Sequence, residues 1–338
     1  MKKKNMILTL VIIVVLCFAF IFGITTAANN GDGATILVYS ETNAIDSIDG
    51  KYAAYFKEKV EELTGGSVLI DVQASGVLGS ESDVLDGMVS GSGTVDMARF
   101  SCYAFSNYGC DASALLGLPF IFESSEHFWK YANSELGREI LAEPQNHNLG
   151  VHGLFYLEDG FRSFFFNREV KGIEDMKNLK IRVSSDQIMT GMVKALGASP
   201  TVVSFNELYT SLQSGVVDGA EQPIPQYGSN AFNEVAPYML LDQHTLATSS
   251  IVISDRALAK LSEEEIAALQ EAGRLTELYC QELSVEEEAA AMEELKSKGV
   301  TFLEVEDKTP YREACSELYG SFIAGIEDKY QAIIDMAK

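Results

Sequence analysis

Positively charged residues are scarce in this sequence. It has 25 lysines and arginines against 49 aspartates and glutamates, which gives a formal net charge of −24 with neutral histidines. Such a chain repels nucleic acid and anionic membrane surfaces, so neither is expected as a partner. A protein of this composition that binds an anion has to concentrate its few arginines in one pocket. The positions of the arginines are therefore informative.

Histidines are also few, and catalytic motifs are absent. The 4 histidines are scattered, and no two have the spacing of a metal site. The sequence has no G-x-S-x-G motif of serine hydrolases, no nucleotide-binding P-loop and no H-E-x-x-H zinc motif. Gly91-Ser92-Gly93 lacks the third glycine of a dinucleotide-binding motif. We therefore expect a binding protein rather than an enzyme, with no catalytic residue, metal site, nucleotide or other cofactor.

The 5 cysteines do not form a zinc motif. Cys17 lies inside the N-terminal apolar run and does not follow a small residue at its end, so lipid attachment is not expected. In an oxidising exterior Cys102 could pair with Cys110, and Cys280 with Cys315. Buried free thiols fit these four positions equally well, so the sequence leaves the disulfide state open.

Long apolar runs are absent except at the N-terminus. Lysines at 2–4 precede an uncharged apolar run at 6–24, and small residues at 25–28 follow it, which is the pattern of an export signal. We expect residues 1–28 to be a signal peptide or, because about 20 apolar residues span a bilayer, an uncleaved signal anchor. Residues 29–33 then form a tether. The folded part is expected at the periplasmic or extracellular face of the cytoplasmic membrane.

The remaining chain alternates strand-like and helix-like periodicities, which favours an α/β fold with a mostly parallel sheet. Val68, Ile70 and Val72 alternate with other residues as in a half-buried strand, whereas Tyr52 and Phe56 recur at helical spacing. The strands are predicted at 35–40, 68–72, 95–98, 164–166 and 180–183, and the helices at 49–63, 82–90, 187–196, 204–213 and 262–298.

The last predicted helix is unusually long. Ser262 followed by Glu265 predicts a capping box at its start, and Ser204 with Glu207 predicts another at the preceding helix. A helix that runs from 262 to 298 can bridge two domains. The glutamates at 286–288 are interpreted as a solvated helix face rather than a metal site.

Motifs spread over most of the chain resemble those of the solute receptors of tripartite ATP-independent periplasmic (TRAP) transporters. The strongest are GFRSFFFNREVKGIEDMKNLKIRV at 160–183 and KALGASPTVVSFNELYTSLQSGVVDGAEQPIPQYG, which starts at 194. Family members share an arginine after glycine, a second arginine in K-I-R-V, A-L-G-A-x-P, and Y-x-x-L-Q-x-G-x-V-D-G. Upstream, VLGSESDVLDGMVSG, VDMARF, LGLPFIF and EHF follow in the family's order.

The resemblance implies a two-lobe α/β fold of the periplasmic-binding-protein type, with a hinge, a ligand cleft between the lobes and a long C-terminal bridging helix. Lobe one would comprise residues 34–157 and 246–285, and lobe two residues 158–245 and 286–338. The implied partners are a small organic acid and the membrane subunits of a TRAP permease. An ion gradient drives such a permease, so no nucleotide is required.

Three residues are implied to hold the carboxylate. Arg182, in the K-I-R-V strand, matches the family arginine that forms a two-point salt bridge with the ligand, for which a planar guanidinium is suited. Arg162 matches the second family arginine, for which the resemblance implies contact either with the same carboxylate or with a second polar group of the ligand. Gln222 stands where many members have asparagine, so its amide is longer by one methylene and conventional dicarboxylate specificity is in doubt.

Other positions resemble those of sugar-acid receptors, so we expect a sugar acid such as a hexuronate, with a dicarboxylate or keto acid as the alternative. Arg99 belongs to this group. Tyr227 and His244 do as well, although packing and capping roles fit these two about equally. Candidates for binding hydroxyls in the first strand-to-helix loop are Glu41, Asn43 and Asp46.

Two rival functions stay open at this point. A receptor for an ATP-driven importer would share the architecture and the export signal but would not explain the K-I-R-V and V-D-G motifs. A secreted enzyme that acts on acidic sugars would require a paired acid and base in the cleft.

Overall fold

The computed structural model describes residues 33–338. The proposed export signal at 1–28 and residues 29–32 of the proposed tether lie outside the described residues. Within 33–338, none of the helices combines the length and the apolar composition that crossing a bilayer requires.

Nine strands in the described part of the chain form one mixed sheet, flanked by helices. The strands are β1 (Thr35–Ser40), β2 (Val68–Gln73), β3 (Met97–Ser101), β4 (Val151–Phe166), β5 (Lys180–Val183), β6 (Ser199–Val202), β7 (Gly219–Gln222), β8 (Tyr238–Ser254) and β9 (Thr301–Glu304). Their order is β2-β1-β3-β8-β4-β7-β5-β6, and β9 pairs with β8.

The two long strands β4 and β8 connect two halves of this sheet. They pair antiparallel along their whole length. Residues 249–253 of β8 pair with β3, whereas residues 163–166 of β4 pair with β7 and residues 238–241 of β8 pair with β9. The parallel strands β1, β2 and β3 therefore lie at one end of the β4–β8 ribbon, and β5, β6 and β7 lie at the other end. This is a two-lobe architecture in which two strands cross between the lobes.

The ribbon is irregular where it crosses. The register of β4 against β8 shifts between Glu158 and Phe161, and again between Arg162 and Phe164. Gly160 lies inside the first shift with φ +90°, a left-handed conformation that glycine adopts without steric cost. Such irregularities bend a strand and redirect its side chains, which brings charged residues of the crossing segment to the interior.

The helices cover both faces of the sheet. They are α1 (Ile48–Leu63), α2 (Glu81–Val89), α3 (Asp111–Ala114), α4 (Ser125–Ala132), α5 (Glu135–Leu141), α6 (Glu143–Asn146), α7 (Gln187–Ala195), α8 (Leu208–Gln213), α9 (Ile224–Ser229), α10 (Asp255–Leu258), α11 (Glu263–Ser297), α12 (Thr309–Phe322) and α13 (Glu327–Asp335).

Helix α11 is the predicted long bridging helix. Its 35 residues span about 52 Å at 1.5 Å per residue. The capping box that Ser262 and Glu265 predict is formed, with both hydrogen bonds present. Cys280 packs in the core cluster that contains α1, whereas Leu295, near the other end of α11, packs in the cluster that contains Tyr227 of α9. The helix thus contacts both halves of the molecule.

The run of three phenylalanines shows how the core is divided. Phe164 and Phe166 lie in the largest apolar cluster, and Phe165 between them lies in the cluster around α9. All three side chains are fully buried. Because successive side chains of a strand point to opposite faces, an uninterrupted apolar run is the pattern of a strand covered on both faces.

Most predicted elements are confirmed, and a few are wrong in extent. The strand predicted at 164–166 is only the end of the 16-residue β4, and the strand predicted at 95–98 begins two residues later. The capping box predicted at Ser204 is not formed. Its hydroxyl instead donates to the Glu207 carboxylate at 2.6 Å, and the helix starts with a 3₁₀ turn.

The four described cysteines are free and buried, so neither of the two candidate disulfides is present. Cys280 donates its thiol hydrogen to the carbonyl of Glu158 at 3.2 Å, which ties α11 to the crossing strand β4. Burial raises the pKa of the Cys102 thiol to about 12. Thiols with such high pKa values are protonated at neutral pH and are poor nucleophiles.

Candidate functional site

A cavity of about 420 Å³ lies between the two halves of the molecule. The volume is within the usual range for sites that bind small molecules. Side chains from both halves form its walls. Residues that line it include Asn43, Arg99, Arg162, Arg182, Asp186 and Gln222.

Arg182 is the cavity arginine without an acidic partner. It comes from β5, and only 5% of its surface is exposed. No carboxylate of the described residues lies within 4.0 Å of its guanidinium nitrogens. Its Nε donates to the carbonyl of Val203 at 2.9 Å, and its guanidinium lies 5.9 Å from the ring centre of Phe205. These contacts fix the plane of the guanidinium and leave its two terminal nitrogens without a hydrogen-bond partner in the described chain.

The surroundings of Arg182 disfavour an uncompensated charge. Burial lowers its pKa; Glu221 opposes this change, and the positive charge of Arg162 adds to it. A buried cation that lacks a partner is costly, and an anion that supplies one recovers that cost. The cavity beside Arg182 is therefore suited to a carboxylate held by two parallel hydrogen bonds.

Arg162 comes from β4 and differs from Arg182 because it is already paired. Its Nη2 donates to Glu221 Oε1 at 2.9 Å and to the Glu221 carbonyl at 3.2 Å, and its Nε donates to the other carboxylate oxygen. Burial on its own would lower the pKa of Arg162, but Glu221 raises it. The side chain lines the cavity, yet its charge is balanced inside the protein.

The carboxylate of Glu221 also contacts a buried histidine. His244 Nε2 lies 3.6 Å from Glu221 Oε2, and its Nδ1 lies 2.8 Å from Asp242 Oδ2. Burial alone would lower the pKa of His244, but Asp242 and Glu221 raise it to about 9. Burial alone would raise the pKa of Glu221, but Arg162 and His244 lower it to about 2. The Glu221 carboxylate is thus held between the Arg162 guanidinium and the His244 imidazole.

Folding stability should depend on pH through this network. Glu221, with its pKa lowered to about 2, stabilises the fold above pH 4.5, and this contribution is lost as the pH falls through 2. His244, with its pKa raised to about 9, stabilises the fold below pH 6.5, and this contribution is lost as the pH rises through 9. Urea unfolding at pH 6 to 10 should show an alkaline loss of about 3 kcal/mol. His244→Gln should remove most of it, and an unchanged alkaline loss in this variant would contradict the assignment.

Gln222 lies on β7 beside the carboxylate network. It is buried and lines the cavity, and its side-chain amide forms no hydrogen bond with another described residue. An amide in this state offers two donors and one acceptor oxygen to a ligand.

Arg99, on β3, marks the other end of the cavity and is surrounded by acids. Its Nε lies 3.1 Å from Glu41 Oε2 and 3.1 Å from Asp49 Oδ1, and its Nη1 lies 3.6 Å from Asp159 Oδ2. Three buried carboxylates thus face one guanidinium. Arg99 is therefore not available as a free cation for a second ligand carboxylate.

Of the three predicted loop residues, only Asn43 lines the cavity. Glu41 is fully buried behind it, where Oε1 accepts hydrogen bonds from the Asn43 backbone and side chain and Oε2 holds Arg99. Asp46 is exposed and outside the cavity wall. Glu41 therefore does not line the cavity but contacts two residues that do, and Asp46 lies outside the cavity wall.

Tyr227 and His244 are also placed behind the wall. The Tyr227 hydroxyl donates to the carbonyl of Ala236 at 2.8 Å, and its ring packs 4.9 Å from that of Phe165. His244 stacks on Phe164 at 4.4 Å. Neither residue lines the cavity, and both make packing and hydrogen-bonding contacts inside the protein.

Sequence reasoning missed many polar residues of the cavity wall, among them Asp159, Asp186 and Gln226. Asp186 caps α7 by accepting from the Met189 backbone at 2.8 Å, and burial raises its pKa to about 6. Asp159 is an acid inside the apolar strand β4. A charged residue within a strand that is otherwise buried is the signal that could have identified it.

The two halves of the molecule contact each other across the cavity. Asn107 Nδ2 donates to the carbonyl of Ser185 at 3.0 Å. At another point Gly76 packs so closely against the side chain of Asn206 that an added Cβ would lie 2.7 Å from its nitrogen. These contacts partly enclose the space between Arg99 and Arg182.

A model of the DctP family, described as bacterial extracellular solute-binding protein, family 7, matches residues 39–325. A solute-binding protein from Roseobacter denitrificans is 31% identical over 283 residues, which cover 84% of each chain. The C4-dicarboxylate-binding periplasmic protein DctP of Rhodobacter capsulatus is 28% identical over 266 residues, which cover 79% of each chain.

Solved structures are similar in fold as well as sequence. A TRAP periplasmic solute-binding protein from Xanthobacter autotrophicus, solved with bound β-D-galacturonate, superposes with a TM-score of 0.84 at 28% identity. The alignment covers 88% of this chain and 99% of that protein.

Proposed function

Because this chain belongs to the DctP family of bacterial extracellular solute-binding proteins, we propose that its cavity binds a sugar acid, such as a hexuronate, through Arg182. As a receptor of this family, it delivers a small acid to the membrane subunits of a TRAP permease. The ligand and the residues that hold it are the proposed part.

The state of Arg182 carries the proposal. Arg162 and Arg99 also reach the cavity, but each already faces carboxylates of the protein itself. Arg182 has a fixed guanidinium plane and two free terminal nitrogens. It therefore fits the role of primary carboxylate ligand, and Gln222 fits that of an adjacent amide contact.

The hydroxyl groups of the cavity wall favour a polyhydroxylated acid. Ser184, Ser204 and Thr248 line the cavity together with Asn43 and Gln222, and each can donate or accept a hydrogen bond. Ser204 and Thr248 already donate to Glu207 and to the Leu116 carbonyl, so their oxygens remain as acceptors, to which sugar hydroxyls can donate and an ionised dicarboxylate cannot. The galacturonate-bound relative agrees with this preference, and the C4-dicarboxylate-binding relative gives the alternative.

The lobes are proposed to be residues 34–157 with 246–285 and residues 158–245 with 286–338. The register shift of β4 between Glu158 and Phe161 supports the boundary near 158. Helix α13, assigned to lobe two, also contacts lobe one, because the Ile333 carbonyl lies 2.6 Å from His127 Nε2. A ligand that contacts both lobes would stabilise the closed arrangement in proportion to its differential affinity for that state.

We further propose that the protein is exported by its N-terminal segment, either cleaved or retained as an anchor, and binds its ligand without turnover. Glu221 lies between Arg162 and His244 and is within ion-pair distance of both, so Glu221 and His244 are not arranged as a free acid and base beside a substrate. Recovery of unchanged ligand after prolonged incubation would agree with this role, whereas a converted sugar would favour the enzyme alternative.

A thermal unfolding screen would identify the ligand class. D-Galacturonate, D-glucuronate and D-galactonate should stabilise the purified protein, and succinate and pyruvate should have little effect. When its concentration is 100 times the dissociation constant, a true ligand raises the free energy of unfolding by about 2.7 kcal/mol. Stabilisation by succinate or pyruvate alone would replace the sugar-acid assignment with the dicarboxylate or keto-acid alternative.

A further inference from the structure

The end of the cavity at Arg99 has three carboxyl groups around one guanidinium. Glu41, Asp49 and Asp159 are buried, and all three carboxylates lie within 3.6 Å of one guanidinium. In the sheet order, β8, β4 and β7 separate β3, which carries Arg99, from β5, which carries Arg182. The cavity therefore has a cationic end at Arg182 and a distinct acidic end.

Three oxygen atoms at the acidic end have no hydrogen-bond partner within the described chain, and two of them belong to residues of the cavity wall. These two are Asp159 Oδ1 and Gln226 Oε1. The side chains are almost fully buried, at 2% and 3% exposure. Gln226 donates its Nε2 to Asp49 Oδ2 at 2.8 Å, which orients its amide so that Oε1 is the free atom. Buried acceptors are paired in most proteins, with a protein group, an ordered water or a bound molecule, so these two oxygens are candidates to accept hydrogen bonds from a ligand.

The chemistry of this end selects hydrogen-bond donors. Arg99 already lies among the three acids, so the site resembles neither an empty cation cage nor an anion site. Burial and the charge of Asp49 raise the pKa of Asp159, while Arg99 opposes this change, as expected for a carboxylate with too few donors. Among the described residues, no cluster of acids, histidines and cysteines is arranged to hold a metal ion.

We propose that Asp159 and Gln226 accept hydrogen bonds from hydroxyl groups at the ligand end remote from its carboxylate, and that the acidic cluster excludes ligands with a second carboxylate there. This inference rests on the proposed function, in which Arg182 holds the first carboxylate. It makes Asp159 a specificity-determining residue that distinguishes sugar monoacids from sugar diacids.

Two six-carbon acids provide a matched test. D-Galactonate has a hydroxyl group at the end where galactarate has a second carboxylate, and the two are otherwise alike. Titration calorimetry on the purified protein should give at least tenfold tighter binding of galactonate. Asp159→Asn should weaken the binding of galactonate about ten- to a hundredfold, because a neutral amide is a weaker acceptor than a carboxylate and its NH2 group cannot accept from a ligand hydroxyl. The same variant should reduce the preference for galactonate over galactarate, since the repulsion also falls.

Two further variants separate charge from hydrogen bonding. Asp46→Asn makes the same change at an exposed position outside the cavity. It should alter neither the affinity for galactonate nor that for galactarate. Gln226→Met removes an uncharged acceptor. It should weaken the binding of galactonate, whereas galactarate should still bind poorly. Circular dichroism and thermal unfolding would verify that each variant is folded.

The outcomes distinguish the inference from the proposed function. If the wild-type protein binds galactonate but Asp159→Asn and Gln226→Met both bind it equally well, the acceptor role is overturned while the receptor assignment stands. Tighter wild-type binding of galactarate would overturn the exclusion of diacids. If 6-amino-6-deoxy-D-galactonate, which carries an ammonium group at the end remote from its carboxylate, binds much more tightly than galactonate itself, the acidic end selects a cation and the hydroxyl assignment is wrong. If no sugar acid in a broader panel binds, the proposed function fails as well.

Discussion

Replacing Arg182 with alanine should abolish detectable sugar-acid binding without destabilising the fold. The arginine forms one hydrogen bond to the Val203 carbonyl and no ion pair with the described residues, so the folded protein loses little. The ligand, in contrast, loses two charge-assisted hydrogen bonds in a partly enclosed cavity, each worth about 1.5 to 3 kcal/mol. Titration calorimetry gives the affinity, and urea unfolding gives the free energy of unfolding.

Arg182→Lys provides the control for charge. Lysine keeps the positive charge but cannot present a planar pair of donors to a carboxylate, so binding should remain severely impaired. Sugar-acid affinity that is unchanged in Arg182→Ala would exclude this residue as the carboxylate ligand. A large loss of fold stability in the same variant would indicate a structural role instead.

Replacing Arg162 with methionine should reduce the stability of the fold more than it reduces the intrinsic affinity for the ligand. The change leaves the Glu221 carboxylate buried with only His244 nearby, and breaking a buried ion pair from one side costs about 3 to 5 kcal/mol. We therefore expect a large drop in the free energy of unfolding, measured with urea at pH 7. Binding should weaken mainly because less of the protein is folded.

The double variant Arg162→Met with Glu221→Gln tests the cause. Removal of the second charge eliminates the uncompensated carboxylate, so it should recover much of the stability lost in the single variant. Equal stability of Arg162→Met and wild type would contradict the pairing. Failure of the double variant to recover would show that the loss has another origin.

The contrast between these two arginines explains what the sequence could and could not predict. Both occur in recognisable motifs, and the strand at 180–183 that carries Arg182 agrees with β5 to the residue. The partner of Arg162, however, is Glu221, which lies 59 positions away in the chain. An ion pair between distant segments leaves no local periodicity, so only the three-dimensional arrangement shows which arginine is free.

The same limit applies to the crossing strands. Phe164 to Phe166 indicate a buried strand, but the extension of β4 back to Val151 depends on its pairing with β8. The bridging helix was predictable because its start is encoded locally, by Ser262 and Glu265. The acidic end of the cavity was not, because Arg99, Asp49 and Asp159 come from three separate elements.

A crystal structure of the complex with D-galactonate or D-galacturonate would test the central claim most directly. The distances to measure are those from the two terminal nitrogens of Arg182 to the ligand carboxylate oxygens. We expect two nearly parallel hydrogen bonds of about 2.7 to 2.9 Å, with Arg162 still paired to Glu221. A ligand bound with its carboxylate at Arg99, or outside the cavity, would contradict the assignment.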